Sequence, residues 1–215
     1  MAPKLYMFIG SPPVRAVMMT AQELGIELEL KELDMFGQEH LKEDFIKINP
    51  AHTIPTLDDD GFILFESAAI MEYLVNKYGK DDTLCPKDNQ KHAIVVQLLH
   101  LITSTFNRLL TVFKPIVHQG KEKSDIPQEH KDNLFNSFQT LEAIIGNKTY
   151  LTGDNVTIAD LSLATLVSSV KIAFPAEMER FPKLGAWLEK LEQRPSYEIN
   201  RKGLNFLKEF WASKK

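Results

Sequence analysis

The sequence predicts an α/β domain joined to an all-α domain, with boundaries at residues 1–80 and 90–215 and a linker at 81–89. Two observations carry this. From Lys4 to about Leu84 the pattern changes roughly every 10 to 15 residues, short β-type runs alternating with helical periods, which is how strands covered by helices read. Beyond Asp81–Asn89, rich in charge and holding Pro86, the strand signal disappears and apolar residues recur only at helical spacing. The 215 residues suffice for two small domains with cores of their own.

The first run, Leu5-Tyr6-Met7-Phe8-Ile9, reads as a buried strand, and Val14, Val17, Met18, Ala21 and Leu24 then keep helical spacing up to a terminating Gly25. Leu28, Leu30 and Leu33 give a second strand or its margins, and Leu41 to Ile48 a weak helix. Thr56-Leu57-Asp58 and Phe62-Ile63-Leu64-Phe65 flank Asp59-Asp60-Gly61, the signal of a hairpin. Ile70, Tyr73, Leu74 and Tyr78 share one face of a further helix closed by Gly79. The order is βαβ, an irregular segment, then ββα, with a right-handed crossover expected between the first two, parallel strands. A thioredoxin-like sheet has this order.

In the second part Ile94, Leu98, Leu101, Phe106, Leu109, Phe113 and Val117 form one stripe on a long helix, with a bend expected at Pro115. Leu134, Phe138, Leu141 and Ile145 form the next, closed by Gly146. Leu161 to Ala173 is apolar or small nearly all round, which predicts the central helix of a bundle. Leu184, Trp187, Leu188 and Leu191 mark another helix, stopped by Arg194-Pro195, and Asn200 to Trp211 a last amphipathic one.

Composition narrows the function classes. Apolar residues make up 44% and charged residues 25%, with only 10 Gly and 11 Pro, which excludes disordered and fibrous chains. A formal charge of -4, with no basic stripe beyond Lys214-Lys215, argues against nucleic-acid binding. The single cysteine, Cys85, permits neither an internal disulfide nor a CxxC redox pair, as expected in a reducing, cytoplasmic setting. Leu5 to Gly10 is too short for the core of a signal peptide, and no uninterrupted apolar run reaches the roughly 18 residues of a membrane span. His40, His52, His92, His100, His118 and His130 show no HxxxH or HExxH spacing, so no metal site is expected.

Three places offer chemistry. Ser11, in Gly10-Ser11-Pro12-Pro13-Val14, lies between the first strand and the first helix, where unpaired N–H groups and the positive end of the helix dipole help a hydroxyl hold an anion or a thiolate. The structural alternative is an ordinary N-cap serine. Ile54-Pro55 precedes a strand, where a cis bond would turn the Ile54 backbone outward toward an extended peptide. Glu66-Ser67 opens the third helix, where Ser67 can cap and neighbouring N–H groups can receive a carboxylate. By contrast, Val156-Thr157-Ile158-Ala159-Asp160-Leu161 reads as a capping box with a hydrophobic staple, a structural device.

Taken together, these elements resemble the cytosolic glutathione transferases. Ser11-Pro12-Pro13-Val14-Arg15-Ala16-Val17, Asn49-Pro50-Ala51-His52-Thr53-Ile54-Pro55-Thr56-Leu57-Asp58 and Glu66-Ser67-Ala68-Ala69-Ile70 are similar to the insect delta and epsilon classes. Tyr78-Gly79-Lys80-Asp81-Asp82, and Gly153-Asp154 leading into Thr157-Ile158-Ala159-Asp160, extend the likeness over essentially the whole chain. The resemblance implies glutathione as co-substrate, a homodimer, and conjugation of small hydrophobic electrophiles such as xenobiotics, insecticides or lipid-peroxidation products, in other words detoxification. It makes Ser11 the catalytic serine that donates a hydrogen bond to the glutathione thiolate. It places His40 and His52 near the glycyl end, Ile54 with cis Pro55 on the cysteinyl unit, and Glu66 and Ser67 on the γ-glutamyl end, and it adds Thr53 to the glutathione site.

The second substrate would lie over Pro13 and Phe36, between Phe106, Leu109, Leu110 and Phe113 of the long helix and the C-terminal Phe206 and Phe210. Part of that stripe is expected to be interdomain core. Ala68 departs from the Arg or His of many relatives, removing a contact to glutathione, and Leu110 stands where some epsilon enzymes carry a polar or basic residue, which implies a more apolar pocket. Two rivals remain: a non-catalytic relative that stores hydrophobic ligands, and a glutaredoxin-like oxidoreductase, which would need a cysteine in place of Ser11.

Overall fold

A computed structural model of the chain describes residues 2–213; the Lys214-Lys215 pair and the side chain of His118 lie outside the described residues. The first part contains β1 (Lys4–Met7), α1 (Pro12–Leu24), β2 (Glu29–Glu32), α2 (Glu43–Ile48), β3 (Thr56–Asp59), β4 (Phe62–Phe65) and α3 (Ser67–Tyr78). The sheet order is β2-β1-β3-β4. β1 runs parallel to β2, with Leu5 opposite Leu30, and antiparallel to β3, with Leu5 opposite Leu57. β3 and β4 close the hairpin. The βαβ-ββα order follows from the alternation of β-type and helical periods, and buried Leu5, Met7 and Leu57 put the sheet's apolar face under α1 and α3.

Several boundaries differ from the sequence expectation for local physical reasons. β1 ends at Met7 instead of Ile9 because the Phe8 carbonyl accepts the Ser11 N–H at 3.0 Å, turning the chain into α1. The hairpin turn is two residues, Asp60 and Gly61 at φ 56° and 87°, a pair of left-handed conformations that glycine adopts readily. Asp59 therefore belongs to the strand. It is buried, and its Oδ2 accepts from Lys77 Nζ at 2.6 Å and from the Tyr73 and Tyr78 hydroxyls at 2.8 Å, pinning α3 to the hairpin. Burial pushes its pKa up, but these donors outweigh that and hold the carboxyl below its ordinary range. Gly79 closes α3 without a left-handed φ; a Cβ there would run into the Val75 carbonyl oxygen.

The second part is helical: α4 (Asn89–Gln119), α5 (Gln128–Ile145), α6 (Ile158–Ala173), α7 (Pro175–Met178), α8 (Pro182–Leu191) and α9 (Tyr197–Ala212). α4 begins at Asp88, whose carboxylate accepts from the N–H groups of Gln90 and Lys91, and it continues through Pro115 to Gln119. Its buried stripe is Val95, Leu98, Leu99, Ile102, Thr105, Leu109, Val112 and Ile116, set to one side of the predicted stripe. Ile94 is left 47% exposed. By length and composition Asn89–Val117 could cross a membrane, with a mean hydropathy of 1.3 in its most apolar window, although it has no uninterrupted apolar run. In the fold it packs on α5 and α6. The four-residue α7 is too short to show a period.

α6 is the central helix, buried on nearly every side and packed against α1, α4, α8 and α9. Asp160 fixes its start. Its carboxylate accepts from the backbone N–H of Thr157 at 2.9 Å and of Leu151 at 2.8 Å, from the Thr157 hydroxyl at 3.0 Å and from the Trp187 indole at 3.0 Å. The expected capping box is thus also a junction that joins α6 to α8 and to the loop before it. Thr157→Ala removes only the cap hydroxyl and should cost about 0.5 to 2 kcal/mol, read as a lower denaturation midpoint.

The two parts meet along α1, which packs on α3 on one side and on α6 and α9 on the other. Glu23 of α1 ties this seam. It accepts from Arg194 Nε at 2.9 Å and Nη2 at 2.6 Å and from the Ser196 hydroxyl.

Candidate active site

α1 begins with two consecutive prolines, whose fixed φ suits the first turn of a helix. They have a second effect. A capping serine bonds the N–H of the second or third helical residue, and the second here is Pro13, which has none. Ser11 occupies the cap position at φ -80° and ψ 119°, half-buried, and its side chain makes no capping bond. The capping role that local sequence offers for this serine is therefore not taken up, and the hydroxyl stands at the positive end of α1.

Beside it opens a cleft of about 230 Å³ between the two parts of the chain. Pro12 and Pro13 form one wall, Thr53, Ile54 and Pro55 with Glu66 and Ser67 a second. The third comes from α4, through Ile102, Thr103, Phe106, Asn107 and Leu110, and from Ser162, Thr165 and Leu166 of α6. The Ile54-Pro55 peptide is cis. The loop carrying it is organised by the fully buried Asn49, whose Nδ2 donates to the Thr53 carbonyl at 3.1 Å and the Thr56 hydroxyl at 2.9 Å, and whose Oδ1 accepts the Ala51 N–H at 2.9 Å.

Glu66, not Ser67, is the cap residue of α3, with Ser67 in the first helical position and no side-chain cap bond made. Glu66 sits at φ 72° and ψ 111°, a conformation that costs a non-glycine residue on the order of 1 to 3 kcal/mol and is kept only where the surroundings enforce it. Such strain at the lip of a cleft marks a residue whose orientation matters.

The cleft thus gathers Pro13, Thr53, Ile54, Pro55, Glu66, Ser67, Phe106 and Leu110 of the expected site. Ser11 immediately precedes its wall. The remaining residues fall elsewhere. His40 is half-buried in a 3-10 turn over Glu39–Leu41, and His52 is exposed in the loop before Thr53 at φ 45°. Leu109 is 1% exposed and belongs to the core, as part of the stripe was expected to. Phe36, Phe206, Phe210 and Phe113 pack into an aromatic chain: Phe36 stacks on Phe210 at 6.3 Å, Phe8 meets Phe36 and Phe206 edge-on, and Phe113 meets Trp211 edge-on at 5.5 Å. Phe206 lies against Gly10, where even a Cβ would crowd the rings of Phe8 and Phe206. Ser11 stands between this aromatic cluster and the cleft.

Sequence reasoning missed the polar part of the cleft. Thr103, Asn107 and Leu110 keep the same spacing as the apolar stripe on α4, but a search for apolar periodicity passes over the first two. Cys85 does not reach the cleft. It is 2% exposed, 3.5 Å from His92 Nδ1, and burial with nearby Glu72 pushes its thiol up to about 11. A thiol so hard to ionise is a poor redox nucleophile. Among the described residues no three His, Cys, Asp or Glu side chains group as metal ligands.

A four-stranded mixed sheet with a cis-proline loop, a helix N-terminus bearing a free hydroxyl, and an α-helical second part facing it define a class of proteins. The chain belongs to the glutathione S-transferase family: residues 1–76 match its N-terminal domain and residues 105–195 its C-terminal domain. Glutathione S-transferase D7 of Anopheles gambiae is 38% identical over 219 residues, spanning 100% of this chain and 99% of the relative. An epsilon-class glutathione S-transferase from the housefly, Musca domestica, superposes with a TM-score of 0.92 at 40% identity, covering 99% of this chain and 98% of that one. A glutathione transferase homologue from Drosophila mojavensis, solved with bound glutathione, does so at 0.93 and 38% identity, covering 99% and 97%.

Proposed function

We propose that this protein joins the sulfur of reduced glutathione to small hydrophobic electrophiles, with Ser11 donating a hydrogen bond to the glutathione thiolate. The observation that carries this reading is the Ser11 hydroxyl, left uncapped at the N-terminus of α1 beside the cleft. In the cleft, Ile54 and cis Pro55 present backbone to the cysteinyl unit, while Glu66 and Ser67 take the γ-glutamyl end. Thr53, with His52 and His40 behind it, serves the glycyl end. The electrophile lies over Pro13, Phe106 and Leu110, with Ile102 and Leu166 as further apolar surface. Phe36, Phe206 and Phe210 bound the same region on the Gly10 side. We place the division of the chain at 1–80 and 90–215, with 81–89 as linker. The family resemblance supports a cytoplasmic homodimer acting in detoxification.

Ser11 accounts for only part of the rate. A thiol of pKa near 8.5 is about 3% ionised at pH 7, and lowering it by about two units ionises roughly three quarters. The thiolate also loses nucleophilicity, by about 8-fold at a Brønsted slope near 0.45, so the net gain at neutral pH is only a few-fold. Most of the acceleration comes from holding the electrophile against sulfur in a site shielded from water. Phe106→Ala should therefore change the Michaelis constant or turnover for bulky electrophiles while leaving glutathione affinity within about threefold. Loss of glutathione affinity in the folded variant would instead place Phe106 in core packing.

The direct test is a panel of aryl halides, unsaturated aldehydes and hydroperoxides assayed with glutathione, alongside glutathione binding by calorimetry. Turnover of at least one class is expected. Glutathione binding with no turnover of any would make the protein a hydrophobic-ligand binder instead of an enzyme.

A further inference from the structure

Arg15 is a buried cation with no anion beside it among the described residues. Its side chain is 0% exposed, it joins no ion pair among the described residues, and its Nε and Nη1 have no hydrogen-bond partner. Only Nη2 is engaged, donating to the Ser169 hydroxyl at 2.5 Å and reaching toward the Thr165 carbonyl at 3.5 Å. A guanidinium normally uses its five donors on carboxylates or carbonyls, so leaving most of them unsatisfied in the core is costly. The fold makes room for it nonetheless. Gly203 of α9 is required there because any Cβ would collide with the Arg15 side chain and with the Ile9 carbonyl oxygen, so the backbone itself is shaped around this charge. The facing groups on α6 and α9 are the neutral Ser169 and Thr165 and the Tyr197 phenol, pushed up to about 12 by burial and so uncharged at neutral pH.

Its place explains why such a charge is kept. The Arg15 N–H donates to the Ser11 carbonyl at 3.2 Å, so Arg15 stands one helical turn behind the serine, on the same α1 face. It is wedged between α1 and α6 behind the part of the cleft formed by Pro12, Pro13, Ser162 and Thr165. We propose that Arg15 is a positioning residue for the reaction: an uncompensated positive charge under the cleft, which adds its field to the α1 dipole and lowers the pKa of a glutathione thiol held at Ser11. Among the described residues no counter-ion faces the charge and its side chain is fully buried, so its effect reaches farther than that of a surface cation. Burial lowers the pKa of Arg15 itself to about 9, which still leaves it charged at neutral pH. The inference rests on the glutathione reading above and adds a second source of thiolate stabilisation to Ser11.

The test uses the full chain with glutathione bound and reads thiolate absorbance against pH in Arg15→Gln, which keeps a donor for Ser169 without the charge, and in Arg15→Lys, which keeps the charge. Arg15→Gln should raise the bound thiol's pKa by about one unit and cut the thiolate fraction at neutral pH about threefold. Arg15→Lys should stay within about 0.3 units of wild type. An unmoved pKa in folded Arg15→Gln, or an equal rise in both variants, overturns the proposal and leaves Arg15 as packing. If Arg15→Gln does not fold, the wild-type complex decides. A thiol pKa that holds steady between low and molar salt supports a buried charge, and one that rises steeply with salt overturns it. Failure of the glutathione reading is separate: it would show as wild-type protein that binds no thiolate at all.

Discussion

Asp160→Ala is expected to destabilise the protein by about 3 to 5 kcal/mol, against about 0.5 to 2 for Thr157→Ala beside it. The carboxylate is fully buried and accepts four hydrogen bonds, two from backbone N–H groups, one from the Thr157 hydroxyl and one from the Trp187 indole. Removing it leaves at least three donors unpaired in the core, because only the hydroxyl can rotate to another acceptor. Burial pushes the Asp160 pKa upward even against these donors, so relief of that desolvation on removing the carboxyl offsets part of the loss. For a chain of this size the change corresponds to a fall in melting temperature of roughly 10 °C. Although α6 forms a wall of the cleft through Ser162, Thr165 and Leu166, Asp160 does not line it, so glutathione affinity should survive in whatever fraction remains folded. Equilibrium denaturation checks this, and equal midpoints for Asp160→Ala and Thr157→Ala would mean that Asp160 is a cap only.

Ser11→Ala is expected to lower the conjugation rate at neutral pH and to leave glutathione binding nearly intact. On the reading proposed above, binding is carried by Glu66, Ser67 and the Ile54 backbone, which the substitution does not touch. A hydrogen bond to a charged group contributes roughly 1.5 to 3 kcal/mol, which corresponds to a rise of about one to two units in the thiol pKa. Raising the pH should restore part of the rate, because the variant lacks thiolate and not the pocket. Stability should change little, since the hydroxyl makes no capping bond that the variant could lose. The rate against pH separates the two roles: a displaced profile at unchanged stability marks the thiolate partner, whereas an undisplaced profile at reduced stability marks a cap.

Much of this architecture was legible in the sequence because it rests on local chemistry. The apolar run at Leu5 to Met7, the turn at Asp60-Gly61 and the box at Thr157 and Asp160 act over a few residues and appear where those residues stand. What lay hidden depends on groups far apart in the chain. Asp59 looked like a turn residue until Tyr73, Lys77 and Tyr78 came back to meet its carboxylate. Ser11 looked like a cap, and only the loss of the Pro13 N–H, combined with the cleft beside it, shows otherwise. On α4 the apolar pattern identified the right helix but rotated its buried face, because Val95, Ile102 and Ile116 are no more apolar than Ile94, Leu101 and Val117. Which of two adjacent apolar stripes faces the core is set by α5 and α6, and periodicity cannot report it. The Phe36, Phe206 and Phe210 cluster likewise depends on a loop of the first part meeting the last helix.

The central claim is that Ser11 holds glutathione as a thiolate. The most direct measurement is thiolate absorbance of the glutathione complex across pH, for wild type and Ser11→Ala at saturating glutathione. The account predicts a wild-type transition well below the free thiol's value near 8.5 and a variant transition displaced upward by about one to two units. Coincident transitions in two proteins that bind glutathione equally well would contradict it.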